Sequence, residues 1–175
     1  MSSEIQSTSK APQFAFIALG SNLGNSWETI LRAMDRLQAF SDEPLSRSSL
    51  WRTEPVQCPP DSQRFINAVV RLTPRAGETP EALFEKLQEL EKEFGRARGE
   101  VRNAPRPLDL DLIAFGGVIR NTERLTLPHP RAHQRRFVLA PLEEIAPEYI
   151  FPGRGETVRE LLRKVGNEQD VVREA

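Results

Sequence analysis

Residues 14–19, FAFIAL, are apolar at every position. An unbroken run this short predicts a central strand covered on both faces. From Asn25 the spacing turns helical, with Trp27, Ile30, Leu31, Met34 and Leu37 expected along one buried stripe. Ser46 to Thr53 reads as a strand. Asn67 to Leu72 is a cleaner one, with Ala68, Val70 and Leu72 on one face and Asn67, Val69 and Arg71 on the other. Thr79-Pro80 marks a helix start, threonine as N-cap and proline in the first turn. Leu83, Leu87, Leu90 and Phe94 supply the buried stripe of that helix, and Gly95 ends it. Leu108 to Ile113 is the next strand, with Gly116-Gly117 expected to turn it into a short hairpin. Phe137 to Ile145 and Glu156 to Val165 read as closing helices.

The order is β-α-β-β-α-β with helical additions at the C-terminal end. That predicts an α+β fold, a ferredoxin-like sandwich of two split βαβ units. One domain over 14–165 is expected, with residues 1–13 and 166–175 as flexible tails. At 175 residues the chain can bury a sufficient core without staples.

Composition narrows the class. The chain is 38% hydrophobic and 28% charged, ordinary for a soluble protein, and no run approaches a transmembrane span. Cys58 is the single cysteine, which excludes an internal disulfide and a cysteine-built zinc site. The opening MSSEIQSTSKAP lacks the apolar stretch of a secretory signal. A reducing, cytoplasmic compartment is expected. Net charge is −1, which argues against nucleic acid or a membrane surface as partner. The charge is unevenly placed, however. Arg96 to Arg136 holds nine arginines and no lysine against four acids, +5 in all, and contains both histidines. A solvated face would mix lysine with arginine. All-arginine usage suits bidentate contacts to phosphate.

The sharpest local signal is Leu108-Asp109-Leu110-Asp111-Leu112. Residues two apart on a strand share a face, so the leucines point to the core and both carboxylates away from it. The acids then stand about 6–7 Å apart along the backbone. An edge strand carrying acids for solubility would look the same. Arginines on the N-terminal side, Arg96, Arg98 and Arg106, favour the other reading, a Mg²⁺ site completed by substrate phosphates. Gly20-Ser21-Asn22-Leu23-Gly24 is a turn and N-cap that lacks the lysine of a phosphate-binding P-loop. His129, stiffened between Pro128 and Pro130, is either a phosphate contact or a structural residue. His133 has no such framing, and nothing local lowers the Cys58 pKa.

These motifs, in this order, resemble the 6-hydroxymethyl-7,8-dihydropterin pyrophosphokinase family. The similarity runs from Phe14 to about Val165. It rests on Gly-Ser-Asn-Leu-Gly at 20–24, Thr53-Glu54-Pro55, Phe65-Ile66-Asn67-Ala68 and Gly95-Arg96-Ala97-Arg98. It continues through Pro105-Arg106-Pro107-Leu108-Asp109-Leu110-Asp111, Leu127-Pro128-His129-Pro130, Arg135-Arg136-Phe137 and Pro141-Leu142-Glu143-Glu144-Ile145-Ala146-Pro147. The resemblance implies a ferredoxin-like fold and diphosphate transfer from ATP to the hydroxymethyl group of the reduced pterin, releasing AMP. By similarity, Asp109 and Asp111 hold two Mg²⁺ ions. Arg96, Arg98, Arg106, Arg135 and His129 meet the phosphates or close over them. Gln88, Glu91 and Arg124, with Arg98 and His129, belong to the nucleotide. Thr53, Pro55, Phe65, Asn67 and Phe137 form the pterin pocket. A monomer acting on two small molecules is expected.

Two departures stand out. Where the family has an aromatic and then glycine before the proline-arginine pair, this chain has Asn103-Ala104. Where glycine commonly follows Thr-Glu-Pro-x, it has Gln57. The first implies weaker stacking on the pterin. The alternatives are a catalytically slack relative or another D-x-D metal-dependent transferase, and the latter leaves Asn67, Phe137 and the Arg96-x-Arg98 pair unexplained. An RNA-binding sheet would need exposed aromatics on its middle strands, and Asn67 to Leu72 offers none.

Overall fold

The first strand, β1 (Ala15–Ser21), is buried along nearly its whole length on both faces, as its apolar run predicts. The computed structural model describes residues 13–54, 63–95, 107–166 and 171–174. After β1 come α1 (Ser26–Leu37), β2 (Ser46–Arg47), β3 (Trp51–Thr53), β4 (Phe65–Leu72) and α2 (Pro80–Glu93). Then follow β5 (Asp109–Phe115), β6 (Arg120–Asn121), β7 (Thr126–Leu127), α3 (Arg136–Ile145), α4 (Val158–Val165) and β8 (Val171–Arg173). The main sheet runs β5-β1-β4-β3-β8, with β2 also on β4, and every pairing is antiparallel. Among the described residues the fold is thus mixed, an antiparallel sheet with four helices.

Each sheet face has its own core. On one, Ile17, Leu19, Val70, Leu110 and Leu112 pack with Ile30, Met34, Leu83, Leu87 and Leu90 of α1 and α2. On the other, Phe16, Val69, Ile113 and Ala114 pack with Val138, Leu139, Leu142 and Leu161 of α3 and α4. The helices start where their caps dictate. Asn25 accepts from the Glu28 amide, Thr79 from that of Ala82, and Thr157 forms a reciprocal capping box with Glu160. Each such cap contributes about 1 kcal/mol.

Four expectations need correction. The buried face of α1 is Ile30, Ala33, Met34 and Leu37. Trp27 (38% exposed) and Leu31 (42%) lie off it, so apolar character overstated the width of the stripe. The strand expected over Ser46 to Thr53 is two short ones. At the break, Ser48 turns its hydroxyl to the Val69 amide, and its own amide donates to the Val69 carbonyl. Gly116-Gly117 does not fold the chain back onto β5. The hairpin is the separate pair β6–β7, closed by Thr122 bonding Leu125. Finally, residues 171–173, expected in a flexible tail, form β8 along β3, with Val171 opposite Thr53 and Arg173 opposite Trp51.

β5 also carries one irregularity. Its register against β1 shifts between Phe16 and Ile17, which face Ala114 and Leu112, so Ile113 has no partner across the ladder. This bulge lets Ile113 and Ala114 both join the core under α3 and α4.

Candidate active site

Cross-strand partners share a face, so the register shows which side chains meet. Asp109 on β5 stands opposite Gly20 on β1, Gly20 opposite Asn67 on β4, and Asn67 opposite Trp51 on β3. The next row holds Asp111, Ala18 and Val69. Thr53 and Phe65 pair alongside. Both aspartates are half-buried, while Leu110 and Leu112 point into the opposite core. The strand expectation for the acid pair therefore holds. Helices α3 and α4 pack on the apolar part of this face, Phe16, Val69, Ile113 and Ala114, and the aspartates and Asn67 lie on the same face beside it.

The middle strand offers almost no side-chain bulk there, only Gly20 and Ala18. A Cβ on Gly20 would stand 3.2 Å from Asn67 Oδ1 and 3.8 Å from the Phe65 ring. A glycine inside a strand marks such a close approach, so Gly20 lies against Asn67 as well as leading into a turn. Asn67 (5% exposed) and Thr53 (6%) are buried, and Asn67 Nδ2 donates to Thr53 Oγ1 at 2.8 Å. One amide hydrogen and the carbonyl lone pairs of Asn67 are left to recognise a polar edge.

Residues 128–137 bring up the cationic wall. A cis Leu127-Pro128 bond leads into His129, whose amide donates to the Ile113 carbonyl at 2.8 Å. The Arg131 amide donates to His129 Nδ1, so the neutral ring carries its hydrogen on Nε2. Burial, with Arg135 and Arg131 nearby, pushes the His129 pKa down to about 4 against the opposing pull of Asp109. At neutral pH the ring is an uncharged Nε2–H donor. Burial also lowers the Arg135 pKa, and Asp111 and Asp109 pull it back up. Its guanidinium, still charged, thus sits within electrostatic reach of both acids and stacks over Phe137, 5.4 Å from the ring centroid.

The structure brings together Asp109, Asp111, His129, Arg135 and Phe137 on one side, and Thr53, Phe65 and Asn67 beside them. Gln88, Glu91 and Arg124 form a second group. Glu91 is buried and Gln88 exposed on α2, and Arg124 ion-pairs with Glu85 one turn before Gln88. Helix α2 packs on the leucine face of β5, so this group is separated from the aspartates by the strand, which ends the sheet among the described residues. Arg96, Arg98, Arg106, Pro55, Asn103 and Gln57 lie outside the described residues.

The family model for 7,8-dihydro-6-hydroxymethylpterin-pyrophosphokinase (HPPK) matches residues 16–147. The chain belongs to this family. Among its HPPK relatives, the 2-amino-4-hydroxy-6-hydroxymethyldihydropteridine pyrophosphokinase of Methylorubrum extorquens is 39% identical over 152 residues, covering 86% of this chain and 92% of that one. The Haemophilus influenzae protein of the same name is 36% identical over 151 residues, 86% and 91% of the two chains. The folic acid synthesis protein fol1 of Pneumocystis carinii is 36% identical over 150 residues, and the chain spans only 20% of its length. A crystal structure of HPPK-DHPS in complex with substrates superposes with a TM-score of 0.71 at 14% identity, over 89% of this chain and 43% of that one. The last likeness bears on the fold alone.

Among the described residues, no three His, Cys, Asp or Glu side chains gather as a metal-binding set. Two carboxylates facing small residues suit a hard cation that takes its remaining ligands from substrate and water better than one needing a full protein cage. No helix among the described residues is long and apolar enough to cross a membrane.

Proposed function

We propose that this chain transfers diphosphate from ATP to the hydroxymethyl group of 6-hydroxymethyl-7,8-dihydropterin, releasing AMP, in folate biosynthesis. Family membership supports the activity. The observation that carries the geometry is the row Asp109–Gly20–Asn67. It sets an acid pair and a buried carboxamide on one face, two strand spacings or roughly 10 Å apart. Only a glycine lies between them. A flat heterocycle held at Asn67 can thus extend its hydroxymethyl group toward phosphates held at the aspartates.

In this reading Asn67 donates and accepts along the pterin edge, its amide fixed by Thr53, while Phe65, Phe137 and Pro55 wall the ring. Asp109 and Asp111 would hold Mg²⁺, two ions, with ATP phosphates completing the coordination. When bound, the ions neutralise the charge of the attacking and leaving oxygens. His129 gives its Nε2 hydrogen to a phosphate oxygen without adding charge. Arg135, with Arg96, Arg98 and Arg106, balances the charge spread over the transferring group. Gln88, Glu91 and Arg124 serve the nucleotide side, beyond the edge of β5. The pterin hydroxyl oxygen attacks the β-phosphorus and gives up its proton to solvent, the bond from that phosphorus to the α–β bridging oxygen breaks, and AMP leaves carrying that oxygen. Positioning does most of the work.

The sheet order β5-β1-β4-β3, antiparallel throughout, supports the ferredoxin-like reading, since each split βαβ unit leaves a gap that the other fills. A single domain over 14–165, acting as a cytoplasmic monomer, completes the proposal.

The test is product identity. Protein, Mg·ATP and the hydroxymethyl-dihydropterin are expected to yield AMP and the pterin diphosphate; ADP, or no turnover, would overturn the assignment. A second expectation concerns the crowded row. Gly20→Ala should displace the Asn67 carboxamide and weaken pterin binding about tenfold, the order expected for one hydrogen bond. Calorimetry with a non-hydrolysable ATP analogue measures this. Unchanged affinity would mean that Asn67 gives way without cost.

A further inference from the structure

Glu144 lies on the exposed surface of α3, where a carboxylate would ordinarily face water. Here it accepts from three donors on the far side of the site. Ser49 Oγ donates to its Oε2 at 2.8 Å, the Ser49 amide reaches both oxygens at 3.2 and 3.3 Å, and the Trp51 indole Nε1 donates to its Oε1. The Ser49 hydroxyl in turn accepts from Arg173 Nε at 3.0 Å, which ties β8 into the same knot. Isolated surface charges contribute little. Several charge-assisted bonds converging on one carboxylate fix both ring and backbone.

The placement of these groups gives the knot a consequence. Glu144 follows Phe137 by seven residues, two helical turns, so both project from the same side of α3. Trp51 is the direct cross-strand partner of Asn67, and Thr53 follows it on the same face of β3. The bonds from Glu144 therefore join the element that carries Phe137 to the element that carries Trp51 and Thr53. In the pterin reading these elements carry two walls of the pocket, Phe137 and the Thr53 that bonds Asn67.

We infer that Glu144 is a positioning residue of the pterin pocket, acting through Trp51 and Ser49 to set the separation of its walls. This role rests on the pterin reading above. It extends that reading, because Glu144 itself meets neither substrate. Removing the carboxylate leaves the aspartates, His129 and Arg135 in place, so the effect falls on the pterin and spares ATP.

The experiment uses the full chain carrying Trp27→Phe, so that Trp51 is the remaining tryptophan. Glu144→Ala is expected to raise the pterin KM about tenfold, within the range of coupling between residues in contact. The ATP KM and kcat should stay within about twofold, and Trp51 emission should shift to the red. Glu144→Gln, which keeps a carbonyl acceptor for the indole, should recover most of the pterin affinity. Equal rises in both KM values, an unchanged pterin KM, or a Gln variant no better than Ala would overturn the role. If Glu144→Ala does not fold, Trp51→Phe decides. Loss of the indole N–H must raise the pterin KM alone, and adding Glu144→Gln must then cost little more; any other pattern overturns the role. A parent protein that makes no AMP would overturn the activity and the role together. A parent that turns over beside a Glu144→Ala variant of equal pterin KM would overturn the role alone.

Discussion

Asp109→Ala and Asp111→Ala are each expected to lower kcat by roughly 10²-fold or more, the scale seen when a group that stabilises transition-state charge is removed. The fold should survive. Both side chains point away from the Leu110 and Leu112 core, and Gly20 and Ala18 opposite them need no support. Arg135 lies within electrostatic reach of both acids and loses one neighbour in each variant. Circular dichroism and thermal melting should therefore match the parent while AMP release collapses. Chelation of Mg²⁺ by EDTA should abolish turnover of the parent in the same way. Near-parental turnover in either variant would remove the acid pair from the chemistry.

Arg135→Ala is expected to lower kcat/KM by roughly 10²-fold, again the scale of a lost charge-stabilising donor, with a smaller loss of nucleotide affinity. The reason is position. Arg135 lies within electrostatic reach of the acids and over Phe137, and in the proposed mechanism the transferring group would pass beside it. An interaction that grows as charge spreads over that group appears in kcat more than in binding. Arg135→Lys should restore only part of the loss, since an ammonium neither forks across two phosphate oxygens nor stacks flat on Phe137. Should Arg135→Ala raise only the KM for ATP, the residue is a ground-state clamp.

What the chain discloses locally, it discloses well. The all-apolar run at 14–19 is the doubly covered strand β1, and the alternation at Leu108–Leu112 does separate core leucines from site acids. Thr79 and Pro80 open α2 because a cap needs only its own first turn. The missed features are those that depend on distant partners. Nothing within residues 171–173 shows that they lie along β3, more than 100 residues earlier. The break at Ser48 comes from a bond to Val69 on another strand. In the site, Asp109 and Asp111 are legible because one strand carries both. Gly20 is legible only as a turn residue until Asn67 is seen across the ladder, and Glu144 only as one acid in a helix until Ser49 and Trp51 are seen beneath it.

The unpaired residue in β5 bears on how such a site can change. Ile113 has no partner on β1, and its carbonyl holds the His129 amide. The sheet thus offers, from its own surplus residue, a main-chain anchor for the cationic segment, which is seated as well by Ala132 and Phe137 on the core under α3 and α4. The aspartate end of β5 keeps its register whatever that segment does. Chassis and attachment are consequently separable. Exposed positions of that segment, such as Arg131 and Gln134, are open to exchange without re-threading the strand that carries the acids, provided that Ala132 stays in the core and the His129 N–H still meets the Ile113 oxygen.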